Sequence, residues 1–222
     1  MNTLSHHLHQ APSMTIESSP CPSTYSLRDY CEIFDLHAED LDKTILDCQS
    51  GFSSFNAEFY QQGHTVISCD DYYAYTLKEL IAVAEKYQLN AELFLEDYTL
   101  GKEQKRYLAV NWLQLPFAVH QFQLALCSEN LLKGKKQDYG YCQETITGLL
   151  QVAEEVRIFL PFTQNEKRSE NIALLMMQLQ QKNFGVELRQ INYSPAENKS
   201  GNPVGSALLR IWAKECVVVC EL

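Results

Sequence analysis

The sequence predicts an α/β fold on a doubly wound, mostly parallel seven-stranded sheet with an antiparallel C-terminal edge. Three observations carry that reading. Residues 44–70, TILDCQSGFSSFNAEFYQQGHTVISCD, run as strand, tight turn, helix, glycine break and second strand ending in acid. Downstream, short aliphatic runs alternate with segments of helical periodicity, the pattern of parallel strands joined by crossover helices. The last two runs are instead joined by SPAENKSGNPVGS, which has no helical period, so they are read as an antiparallel pair.

The elements follow in order. A Ser/Pro-rich arm covers residues 1–24, and a single domain covers 25–222. Tyr25 to Leu36 is amphipathic, with Leu27, Tyr30, Cys31 and Phe34 at helical spacing, and lies where it could close over a ligand. Thr44 to Leu46 forms the first strand, closed by Asp47; Ser53 or Ser54 caps a helix over Phe55 to Gln62; Thr65 to Cys69 is the second strand. Thr76 to Leu89 and Ala91 to Tyr98 are helical. Strands are expected at 107–110, 123–127, 156–160, 186–191 and 207–212, with helices at 138–153 and 170–182. The run CVVVC at 216–220 could extend the edge.

Composition narrows the function classes. A chain of 222 residues with 45% hydrophobic content suits one globular domain. No apolar run approaches the roughly 18 residues of a membrane helix, and the N-terminus lacks the basic start and apolar core of a secretory leader. A cytoplasmic protein is expected. The net charge of −10 disfavours a nucleic-acid partner, which would need a basic face; only Lys133, Lys135 and Lys136 cluster. The eight cysteines form no CxxC pair and are read as buried thiols, and His6, His7 and His9 lack a partner at ligand spacing, so no metal site is expected.

The turn Asp47-Cys48-Gln49-Ser50-Gly51-Phe52-Ser53 is where a ligand would sit, against the N-terminus of the following helix, with an acid about 20 residues on taking ribose hydroxyls. Asp70 stands 23 residues after Asp47. Only one glycine is present, so the GxGxxG cradle that a dinucleotide pyrophosphate needs is absent, which argues against NAD or FAD. Taken singly, Asp47 could cap its turn and Asp70 could be a solvated loop acid. Their joint spacing in a strand-helix-strand context favours a site.

A second stretch, LAVNWLQLPFAVHQFQLALCSENLL at 108–132, has the shape strand, polar residue, Leu-Pro-Phe, turn, strand. Together with ILDC, SSFNAEF, GHTVISCD, RYL, LALCS and EVRIFL, it resembles the class I S-adenosylmethionine-dependent methyltransferases over roughly Tyr25 to Trp212, and a bacterial branch of them in particular. The resemblance implies a Rossmann-like methyltransferase fold with S-adenosylmethionine as cofactor. Asp47, Cys48, Gln49 and Gly51 would flank its methionine portion, Asp70 would hold the ribose, Asn111 would meet the adenine amine with Trp112 beside the ring, and Cys127 would lie beneath the ligand. The family's turn carries glycines where Gln49 and Ser53 stand here.

Several alternatives stay open. Trp112 is as readily a core residue as an adenine shelf. Asp71, Tyr72 and Tyr73 are expected at a loop surface or lid, and Leu115, Pro116 and Phe117 in loop packing. Ser128 or Glu129 could face a substrate, but no catalytic residue is assigned. The favoured function is methyl transfer to an unidentified acceptor, a small molecule being the natural candidate. Its rival is a non-catalytic module that keeps the fold with a degenerate cofactor loop.

Overall fold

Alternation along the central strands decides the layering. The computed structural model describes residues 21–128, 139–161, 166–193 and 205–214, leaving aside the side chains of 166–169. Its strands β1 (Ile45–Cys48), β2 (Val66–Cys69), β3 (Tyr107–Leu108), β4 (Phe122–Cys127), β5 (Ala153–Pro161), β6 (Phe184–Ile191) and β7 (Ser206–Ala213) form one sheet in the order β3-β2-β1-β4-β5-β7-β6. Ile45, Leu124, Leu126 and Phe159 point to one face, where helices α1 (Leu27–Ile33) and α3 (Phe55–Gln61) supply Tyr30, Ile33, Phe55 and Phe59. Leu46, Ala125 and Ile158 point to the other, under α6 (Tyr139–Val152) and α7 (Glu166–Gln181). Strands buried on both faces carry the near-continuous apolar runs seen in the sequence.

All pairings from β3 to β5 are parallel, while β7 is antiparallel to both β5 and β6. The expected antiparallel pair is therefore present, with β7 inserted between β5 and β6 rather than placed outermost. A third cluster lies beyond β3, where the 3₁₀ turn Asp71–Ala74, α4 (Leu77–Tyr87) and α5 (Glu92–Glu103) enclose Phe52, Tyr72, Tyr73, Phe94, Tyr98 and Tyr107.

Local chemistry sets the helix ends. Ser26 and Thr76 each form a reciprocal capping box, with Asp29 and Glu79 respectively. The first helix consequently starts at Leu27, two residues later than its hydrophobic period suggests. The fifth extends past the expected Tyr98 because Gly101 lets it close on Tyr107, whose ring carbons lie 2.3 Å from where a Cβ would be. The third strand is only two residues long, and α7 begins four residues before the expected start. The short helix α2 (Ala38–Leu41) was not anticipated. The stretch 216–220, the lysines at 133–136 and Glu129 lie outside the described residues.

Charged side chains fasten the antiparallel edge to the helical layer. Arg157 on β5 is 4% exposed and forks onto Asp40 of α2, with both contacts at 3.0 Å; its Nη1 also donates to the carbonyls of Phe34 and Asp35. Glu155 accepts from Arg157 and Arg210 at 2.8 Å each, and Arg210 continues to Glu187 on β6. No helix among the described residues is long and apolar enough to cross a membrane.

The buried pair makes a measurable demand. Asp40→Ala should lower the unfolding free energy by about 3 kcal/mol, the lower end of the range for stranding one partner of a buried pair, because Glu155 still faces the guanidinium. Burial alone would raise the Asp40 carboxyl, but the hydrogen bonds from Arg157 and Lys43 hold it at about 2. Its contribution is therefore complete above about pH 4 and is lost as pH falls towards 2, so urea unfolding of parent and variant should converge in acid.

Candidate functional site

The carboxyl ends of β2, β1 and β4 lie side by side, with Cys69, Cys48 and Cys127 in register across them. Open α/β sheets bind ligands at this edge. Cys48, Cys69 and Cys127 are buried on the face that also packs Trp112. Burial pushes the Cys48 and Cys69 thiols well above their ordinary range, so they are protonated and inert. Immediately after β1 the chain turns through Gln49, whose φ is +54°. Its N–H donates to Cys69 O at 2.7 Å, and its carbonyl accepts from Ser128 Oγ at 2.7 Å. Gln49 is thus stitched between β2 and β4 by its main chain, and its side-chain Oε1 is left buried without a partner.

The rest of the turn is held from two sides. Gly51 donates its N–H to Asp70 Oδ2 at 2.9 Å, which ties the end of β2 to the turn. On the other side, residues 22–25 dock as a strap: Phe52 N donates to Ser23 O at 2.7 Å, Ser54 N to Tyr25 O at 3.0 Å, and Tyr25 N to Ser53 Oγ at 3.1 Å. Gly51 has φ +61°, and a Cβ there would lie 2.8 Å from both Ser23 N and Ser23 O. The glycine that the sequence suggests is kept for a ligand is required by the protein's own N-terminal segment. The arm, expected to run free to residue 24, is docked from Pro22, which is buried.

Two acids sit beside this turn in different environments. Asp47 is 1% exposed on the α1/α3 side, accepting from Tyr30 Oη at 2.8 Å and Ser68 Oγ at 2.7 Å. Burial raises its carboxyl to about 7 against the pull of those hydrogen bonds, and the charge of Asp70 adds to the rise. Tyr30 is raised in turn, first by burial and then by Asp47. Asp70 caps the 3₁₀ turn through Tyr72 N at 2.9 Å and holds Gly51 N with its other oxygen. Burial lifts it to about 6, opposed by those two N–H groups. Each Asp70 oxygen accepts one recorded bond and keeps a second lone pair.

The remaining expected residues divide. Trp112 is 5% exposed, packs with Leu149 and Leu150 in the main core, and reaches Asp71 Oδ1 through Nε1 at 3.3 Å. Asn111 is exposed, with Oδ1 accepting from Leu113 N at 3.1 Å. Leu115 and Phe117 pack against the core as loop residues, Phe117 edge-on to Phe122. Tyr72 and Tyr73 are not surface groups: they are 4% and 1% exposed, and Tyr73 Oη bonds Gly51 O at 2.9 Å and Ser50 Oγ at 2.8 Å. Ser128 faces Gln49 rather than open space. Sequence reasoning missed Tyr30, Ser68 and Ser23 as partners of the turn; only the parallel pairing of Asp47 with Ser68 offered a signal, and it needs the register to be seen.

The donor and acceptor set is specific. The strand-end side chains are carboxylates, thiols and a hydroxyl, with no cation among them, and the N–H groups of Gly51, Phe52 and Ser54 in the turn are taken by Asp70, Ser23 and Tyr25. The acceptors that remain available are Gln49 Oε1 and the second lone pairs of Asp70. Such a site suits a ligand that presents hydroxyl, amine and ammonium donors. It does not suit a pyrophosphate.

No family model matches the chain. An uncharacterised protein of Methanocaldococcus jannaschii is 26% identical, over 60% of this chain and 74% of that protein. Among solved structures, a SAM-dependent methyltransferase from Methanosarcina mazei matches 78% of this chain and 92% of its own at 14% identity, with a TM-score of 0.50. A candidate RNA methyltransferase from Pyrococcus horikoshii matches 80% and 78% at 10% identity, also at 0.50. At such identities the likeness establishes the fold, that of the class I methyltransferases.

Two substitutions test this geometry. Gly51→Ala should destabilise the protein by about 2 kcal/mol or more, since the left-handed backbone alone costs about 1–2 kcal/mol and the methyl meets the Ser23 backbone; thermal unfolding reads the loss. Asp47→Asn probes the raised carboxyl. The folded chain keeps a proton that the unfolded chain releases near pH 4, so the stability due to Asp47 declines as pH rises from about 4 to about 7. Across that window the parent should lose on the order of a few kcal/mol relative to Asp47→Asn. Parallel profiles would mean that Asp47 is already ionised when folded.

Proposed function

We propose that this chain binds S-adenosylmethionine across the carboxyl ends of β1, β2 and β4 and transfers its methyl group to a small-molecule acceptor. The observation that carries the reading is Asp70. Its carboxylate stands at the end of β2, is fixed by Gly51 and Tyr72 N–H groups, and retains an accepting lone pair on each oxygen, the arrangement a vicinal ribose diol requires. Gln49 and Gly51 would border the methionine portion. Cys48 and Cys127 would form an uncharged floor, and Asn111 with Trp112 would receive the adenine edge. Asp47, enclosed by Tyr30 and Ser68, acts from behind by holding the turn.

The bound cofactor would supply a methyl on a positively charged sulfur, which any well-placed nucleophile can take. The protein's contribution is then chiefly to hold the acceptor in line about 3 Å away, which can account for several kcal/mol of the barrier. A base is needed only for an acceptor that must shed a proton in the step. The acidic net charge favours a neutral or cationic acceptor over a nucleic acid. A cytoplasmic setting accords with eight cysteines in a sequence that holds no CxxC pair. The second reading, a non-catalytic module, draws support from one feature: Ser23 already fills the approach to Gly51.

Differential scanning fluorimetry and calorimetry with S-adenosylmethionine, S-adenosylhomocysteine and NAD in parallel decide between them. The first two should stabilise the fold, by about 2.7 kcal/mol at 100 times the dissociation constant, and NAD should not. Asp70→Ala should weaken binding by about 1.5–3 kcal/mol, the range for hydrogen bonds to a charged group, while Glu85→Ala on the far helix leaves it unchanged. An absence of any shift at millimolar adenosyl ligand would remove the enzyme reading and leave the module.

A further inference from the structure

Gln49 carries two costs at once. It holds a left-handed backbone, φ +54°, where glycine is the unstrained choice, and it buries a side-chain oxygen with no donor. The first costs about 1–2 kcal/mol and the second about 1–3 kcal/mol. Paired costs of this kind persist where the surroundings hold them for a purpose, and an orphaned buried acceptor marks a place for a missing donor.

The main chain of this residue is already engaged on both sides. Its N–H is spent on Cys69 O, and its carbonyl already receives the Ser128 hydroxyl at 2.7 Å. The side-chain amide oxygen is the acceptor at this point of the turn that has no partner at all. The residue as a whole is only partly buried, so the turn is open to solvent on one side while Oε1 is not. Asp70, at the end of the neighbouring strand and tied to this turn through Gly51, is an acid, which favours a positively charged donor.

We infer that the Gln49 side-chain amide oxygen accepts the α-ammonium of the ligand's methionine tail, making Gln49 a positioning residue that selects ligands bearing that ammonium. The inference rests on the S-adenosylmethionine reading and deepens it. A glycine at this position would lack the acceptor, so selectivity for the charged tail is a property of this chain's own side chain.

The test measures dissociation constants by calorimetry for S-adenosylhomocysteine, its decarboxylated analogue, which keeps the ammonium, and 5′-methylthioadenosine, which lacks the whole tail. Gln49→Leu should weaken the first two at least tenfold and leave methylthioadenosine unchanged, while ligand-free Gln49→Leu should unfold no earlier than the parent because an unpaired acceptor has been removed. Gln49→Glu should retain binding of both ammonium ligands. The inference is overturned if Gln49→Leu binds S-adenosylhomocysteine as the parent does. It is also overturned if the loss disappears with the decarboxylated analogue, since the amide would then read the carboxylate, or if Gln49→Gly tightens binding, since the side chain would then be a plug. A parent that binds methylthioadenosine and S-adenosylhomocysteine equally refutes the role of Gln49 but leaves the adenosyl site standing. A parent that binds neither refutes both.

Discussion

A carboxyl group cut off from solvent, held between a tyrosine of the first helix and a serine of the neighbouring strand, sets the geometry of the sheet's carboxyl edge. Asp47 receives Tyr30 from α1 and Ser68 from β2, and Ser68 in turn receives Asn56 of α3, whose amide oxygen accepts from Arg106 at 2.6 Å. Arg106 closes the chain on Asp97 of α5 through two contacts of 2.7 Å. A single polar thread therefore runs under the sheet from the first helix to the fifth. Its members are satisfied, and a satisfied buried network fixes relative positions more sharply than apolar packing, because any slip strands a polar group. The apolar stack of Tyr30 on Phe55, with centroids 4.1 Å apart, supplies bulk around that thread.

Much of this was legible in the sequence, for reasons that are local. The strand-turn-helix at 44–62 follows from apolar period, capping serines and a glycine break, and Asp70 follows from chain spacing; both fall where expected. The antiparallel edge followed from a connection too irregular to hold a helix. What escaped was non-local. Nothing in the arm says that Ser23 will lie on Gly51, and nothing in Tyr72-Tyr73 separates a lid from a core, because both depend on which residues α4 and α5 bring over them. The partners of Asp47 escaped for the same reason: they sit 17 residues before it and 21 after.

The turn also shows how a loop can shift its chemistry without losing its shape. Where a glycine-rich turn presents bare N–H groups, this one spends three of them internally on Ser23, Tyr25 and Asp70 and sets acceptors beside them. A substitution that looks like decay by motif, Gln49 for glycine, is thereby compatible with a site of opposite hydrogen-bonding polarity. The strap and the turn stabilise each other, and Gly51 is the point at which their backbones touch.

The position of β7 has a consequence for the order in which the molecule is put together. Among the described residues the strand β6 finds its one sheet partner in β7, which follows it in the chain after residues 192–205. A nascent chain emerging from the ribosome therefore exposes β6 before β7 exists to pair with it, whereas the strands from β3 to β5 can already assemble in parallel. The late arrival of β7 zips two edges in one step, pairing with β5 on one side and β6 on the other. Closure waits on that strand, and until it docks the aliphatic residues of β5 form an open, sticky margin that a chaperone would recognise.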